Sequence, residues 1–164
     1  VNPQDSVQLD DAARRWMSAV TAGGLGARLD AIYAEAARAI AARGPACWAS
    51  GRCCNFEAFG HRLYVTGIEA AHTVAQWNAR GAPLVLEQVE AAETVGGCPF
   101  QRRNLCDAHR LKPLGCRLFF CDRTASQWQT DVLEELHAKV KALHAEGVPY
   151  EYAEWRRMLR RFAI

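Results

Sequence analysis

The sequence predicts a mostly α fold: a single small helical domain with irregular Cys-rich loops and at most a short β element. Three observations carry this. Apolar residues recur at spacings of three and four through both flanks of the chain. Glycine and proline pairs punctuate those stretches where helices should stop. All seven cysteines fall in two windows, residues 47–54 and 98–121, too rich in turn formers to be regular elements.

Residues 7–22 form the first expected helix, with Leu9, Ala13, Trp16 and Val20 on one face and Gly23-Gly24 ending it. A second runs over 25–42, carrying Leu29, Ile32, Tyr33, Ala36 and Ile40. Its alanines are strong helix formers, and Gly44-Pro45 stops it. The next stretch, 47–56, holds Cys47, Cys53 and Cys54, and Gly51 lets the chain bend between them. Neighbouring side chains in extended chain point to opposite faces, so Cys53 and Cys54 read as one ligand and one packed thiol. Residues 61–66 make a short β-like run. Thr66 and Glu69 match a capping box, so a helix should follow to about residue 79. A short helix is expected over 84–93, before Gly96-Gly97 leads into the second cysteine window. Beyond it, Asp122 or Thr124 should cap a helix running to Glu146, with Trp128, Val132, Leu136, Val140 and Leu143 as its stripe. Gly147 and Pro149 close that helix, and a last one is expected over 150–162, with Tyr152, Trp155, Leu159 and Phe162.

A chain of 164 residues reads as one domain, 1–164, with a cysteine core over 47–121 flanked by helices at 7–43 and 124–162. It is long enough to bury a core without staples. The net charge of +2, with acids and bases interspersed, implies no nucleic-acid partner. Arg102-Arg103, Arg156-Arg157 and Arg160-Arg161 read as solvated faces. Charges such as Arg28, Asp30, Glu35 and Arg38 interrupt the alanine-rich segment too often for a membrane span. No export signal is seen, and the cysteine count is odd. Both point to a reducing compartment, with cytoplasm as the expectation and an unidentified protein as partner.

Thiolates are the softest side-chain ligands, so cysteines converging on one point suit zinc, cuprous copper or an iron–sulfur cluster. Cys98-Pro99 resembles the Cys-Pro step at cluster ligands in bacterial ferredoxins. Cys106 and His109 have a chelating gap of two residues, and Gly115 provides a bend before Cys116. One to three of the seven cysteines read as plain core fillers. The four other histidines, His61, His72, His137 and His144, read as ordinary core or surface residues. Arg110 and Arg117 flank ligand candidates, where they could compensate thiolate charge or pair with Asp107 or Asp122.

In motif order the chain resembles the YkgJ-like, or CxxCxxCC, cysteine-cluster family of zinc- or iron-chelating domains. The residues that carry the resemblance are Cys47-Trp-Ala-Ser50-Gly51-Arg52-Cys53-Cys54, then Cys98-Pro99, Cys106, Lys112-Pro113, Cys116-Arg117 and Cys121. Ser50 stands where the family has a second cysteine, and Lys112 where it has arginine. The resemblance implies a metal-binding protein. Related clusters accompany some protein-methylating enzymes and iron–sulfur chemistry, which favours iron over zinc.

The expected function is therefore an iron–sulfur protein with a redox, electron-transfer or cluster-related accessory role. A zinc-stabilised interaction module is the alternative, and metal-free thiol redox chemistry at Cys53-Cys54 is a third reading. The expected ligands are Cys54, Cys98, Cys106 and Cys116, then Cys47, Cys53 and Cys121, with Arg110 and Arg117 beside the cofactor. No nucleophile–base arrangement, glycine-rich phosphate loop or pair of carboxylates supports an independent enzyme.

Overall fold

Asp10 begins the first helix of the described residues. In the computed structural model, which describes residues 9–164, its carboxylate accepts from the Ala13 N–H at 2.9 Å and caps α1, Asp11–Thr21. Residues 7 and 8 of the expected first helix lie outside the described residues. α1 buries Ala13, Trp16 and Val20, the face its spacing predicts. α2, Leu25–Arg43, starts after Gly24 and ends at Gly44, both with positive φ, and buries Leu29, Ile32, Tyr33 and Ala36. The mostly helical expectation holds.

The capping box is present. Thr66 and Glu69 exchange hydrogen bonds at the start of α3, Gly67–Asn78, directly after the short strand β1, Tyr64–Thr66. Gly67 is needed there because a Cβ would fall inside the Trp16 indole, which α1 lays across the start of α3. α4, Leu86–Thr94, is the expected short helix.

The second cysteine window holds a two-stranded hairpin, β2 (Gln101–Arg102) and β3 (Leu105–Cys106), and a single-turn helix α5, Leu114–Arg117. α6, Ser126–His144, follows a 3-10 turn that Asp122 caps through the Thr124 N–H. The predicted stripe is buried at Leu136, Val140 and Leu143, and only partly at Trp128 and Val132.

The final helix is shorter than its spacing predicts. Tyr152–Glu154 forms strand β4, antiparallel to β1 with Val65 opposite Ala153, and only Trp155–Arg160 is helical, as α7. The reason is local and tertiary together. The Trp155 N–H donates to Leu63 O at 2.9 Å, and Glu154 accepts from the Arg157 N–H, which makes it an N-cap rather than a mid-helix residue.

Aromatic and aliphatic residues from α1, α2, α3, α6 and α7 and the loops between them meet in one buried cluster, whose largest fully buried members are Trp16, Trp155, Phe56 and Phe100. Ion pairs stitch its margins. Arg161 forks onto Asp10 with two bonds of 2.7 Å, joining the two ends of the described chain. Arg156, almost wholly buried, holds Glu57 at 2.7 Å and Glu154 at 3.0 Å, which fixes the first cysteine loop against α7. Among the described residues no helix is long and apolar enough to cross a membrane.

Candidate functional site

Each wall of the site is set by a local device. In the first loop, Gly51 adopts φ +72° and the chain turns into a 3-10 turn, Arg52–Cys54. Its carbonyl accepts from Gln101 Nε2 at 3.1 Å, so the first loop is tied to the β2–β3 hairpin. A Cβ at Gly51 would strike the Asn104 carbonyl, so this close approach needs glycine. The hairpin turns through Arg103 and Asn104, both with positive φ, the pattern of a two-residue turn that suits strand twist. On the other side Glu69 receives the Leu114 N–H at 3.0 Å and Thr73 donates to Leu111 O at 2.9 Å, which seats α5 and Cys116 on α3.

Between these walls lies a cavity of about 570 Å³ lined by six of the seven cysteines: Cys47, Cys53, Cys54, Cys98, Cys106 and Cys116. Cys121 is not part of the lining, and Cys47 is exposed. None of the seven is in a disulfide. Tyr33 and Ile40 of α2, Phe56, Phe100 and Trp155 give an apolar wall. Arg110, Lys112 and Arg117 also line the cavity, and among the described residues no aspartate or glutamate does.

The thiols are electrostatically unequal. Cys54, hydrogen-bonded to Cys106, Cys53 and Cys98 and desolvated, is pushed far up and stays protonated. Its neighbours move the other way. Cys53 falls to about 6, chiefly because Cys54 hydrogen-bonds to it, with Lys112 nearby. Cys106 is lowered for the same two reasons. Cys116 is pushed well above its ordinary value by burial. Lys112, with burial and Arg117, lowers His109 and so favours its neutral ring.

The expected metal centre is not formed. Among the described residues no group of three or more His, Cys, Asp or Glu side chains is disposed to hold a metal ion, so the iron–sulfur cluster and the zinc alternative are both corrected. The placement of the thiols gives a physical reason. Cys47 is exposed, Cys121 is not part of the lining, and the others stand around a cavity of about 570 Å³. A tetrahedral shell instead needs four sulfurs about 2.3 Å from one point. Ser50, in the position of a family cysteine, serves the turn instead by accepting from the Arg52 N–H at 3.4 Å.

No family model, no curated protein and no solved structure matches the chain. The resemblance to the YkgJ-like family is corrected with the metal centre, since neither a family match nor a chelating group supports it.

The two arginines singled out by sequence do not pair as their neighbours suggested. Asp107 takes Arg102 at 3.2 Å and Arg80 at 3.8 Å, and Asp122 accepts from the Thr124 and Ala46 N–H groups. Among the described residues neither Arg110 nor Arg117 has a carboxylate within 4.0 Å, and the Arg117 guanidinium lies 4.2 Å over the Tyr33 ring. Sequence reasoning placed Tyr33 and Trp155 in the core without seeing that both line this cavity. The available signal was their polar atoms, each of which would need a partner once buried.

Proposed function

We propose that this protein is a thiol redox protein, in which the cavity thiols reduce a small disulfide. One observation carries the proposal: six cysteines from two distant loops line one cavity, unpaired, beside three cations. The site residues are then Cys53, Cys54, Cys98, Cys106 and Cys116, with Arg110 and Arg117 as the neighbouring charges. A reducing compartment, the cytoplasm, is the setting in which free thiols of this kind persist.

Cys53 is the attacking group. Its thiolate adds to one sulfur of a disulfide RSSR, the S–S bond breaks, and one RS⁻ leaves and is protonated. Cys106 then attacks the Cys53 sulfur of the mixed disulfide, releasing the second RS⁻ and joining the two loops by a Cys53–Cys106 bond. Two electrons pass from two protein thiols to RSSR, and their two protons end on two RSH. Cys54 has one S–H, which donates to one of the two at a time and favours the thiolate of that one.

The test uses the reduced full chain and neutral 2-hydroxyethyl disulfide, followed by peptide mass mapping. The wild type should yield a Cys53–Cys106 cross-link, and Cys106→Ser should stop at the mixed disulfide on Cys53. An unmodified Cys53 would overturn the proposal. So would anaerobically prepared protein that retains one metal ion per chain and resists alkylation at these thiols.

A further inference from the structure

The cavity contains more unanswered donors than thiol exchange requires. Tyr33 is 4 % exposed and Trp155 1 % exposed, and both line the cavity. Tyr33 Oη, Trp155 Nε1 and Arg117 Nε are all buried with no hydrogen-bond partner in the protein. A buried polar group without a partner is destabilising by roughly 1–3 kcal/mol, so three in one wall call for a ligand acceptor.

Charge points the same way. Arg117 is half-buried, which lowers its pKa, and among the described residues no carboxylate lies within 4.0 Å of it. Its Nη2 is used on the Arg110 carbonyl at 3.0 Å, which leaves Nε as the open donor. Lys112 is a second cation of the lining, and its charge acts on Cys53, Cys106 and Cys116. The remaining wall is aromatic and aliphatic: Ile40, Phe56, Phe100 and Phe120.

We infer that the cavity selects a small organic anion with an apolar body, its carboxylate answering the open donors of Arg117, Tyr33 and Trp155 beside Lys112 and its body laid against Ile40, Phe56, Phe100 and Phe120. Built on the thiol redox proposal, this names the substrate class as a hydrophobic disulfide that bears a carboxylate. The anion is oriented so that its sulfur side faces Cys53. Arg117 and Lys112 are positioning residues, since they touch the carboxylate rather than the reacting sulfurs.

Binding is measured separately from exchange, with a probe that carries no sulfur. By calorimetry on the reduced full chain, 2-naphthoate should bind at least tenfold more tightly than its neutral isostere 2-naphthamide. It should also slow iodoacetamide alkylation of Cys53. The acid-over-amide ratio should fall below threefold in Arg117→Gln with Lys112→Gln, while Arg117→Lys retains most of it; near-UV circular dichroism checks that each variant is folded. Equal binding of acid and amide, or binding of neither, overturns the inference. Exchange with neutral 2-hydroxyethyl disulfide is scored on the same samples. Anion preference without exchange overturns only the redox proposal, and exchange without anion preference overturns only the anion.

Discussion

Replacing Glu69 by glutamine should loosen the site from beneath without touching a thiol. The carboxylate is 2 % exposed and accepts three bonds: from Thr66 N–H at 3.0 Å, Thr66 Oγ1 at 2.9 Å and Leu114 N–H at 3.0 Å. One oxygen serves the cap of α3 and the other the first residue of α5. A glutamine must turn its NH2 toward one of these backbone donors. Whichever way it sits, one interior N–H loses its acceptor, at about 1–3 kcal/mol, and the remaining bonds lose their charge assistance. Together this comes to about 3 kcal/mol. Urea unfolding followed by tryptophan fluorescence should show that loss at unchanged slope. Because α5 is a single turn seated by this contact, alkylation of Cys116 should also speed up. A loss below about 1 kcal/mol, with Cys116 as protected as in the wild type, would refute the argument that Glu69 couples the cap of α3 to the site.

Three further outcomes are expected. Iodoacetamide should label Cys53 with a midpoint near pH about 6 and a plateau by pH 8, while an ordinary thiol, with pKa about 8.5, is still climbing; Lys112→Ala should move the midpoint upward. Asp10→Ala should lower unfolding free energy by about 1 kcal/mol at pH 7, the usual loss for an N-cap. The Asp10 carboxyl is held down at about 2 by its hydrogen bond from Arg161, against an ordinary 3.8, so its stabilisation is full above that value. It fades as pH falls through about 2, and guanidine titrations of wild type and variant should converge there. Gly67→Ala should be destabilising by about 2–3 kcal/mol, because the new methyl must displace the buried Trp16 ring, and a thermal melt reads the difference directly.

The helices were legible in the sequence where one segment contained its own instructions. Thr66 and Glu69 lie three residues apart, and the face of α2 repeats within one stretch, so local reading was enough. β4 was not legible that way. Tyr152, Trp155 and Leu159 have helical spacing, and only the distant partner Val65 decides that residue 153 extends instead. The two-residue strands of the hairpin are too short to show any period, and their turn uses Arg103 and Asn104 at positive φ without a glycine to announce it. At the site, the crowding of cysteines was visible, but which of them share one cavity was not. That follows from a turn at Gly51 tied to a hairpin fifty residues away, which no spacing rule encodes.

The pairing of β1 with β4 joins positions ninety residues apart, Tyr64 with Glu154, and the indole behind the cysteines belongs to the residue that follows. A chain emerging from the ribosome therefore presents both cysteine loops long before Trp155 can cover them. Until β4 and Trp155 are synthesised, these sulfurs face whatever oxidants, metals and chaperones surround the nascent protein.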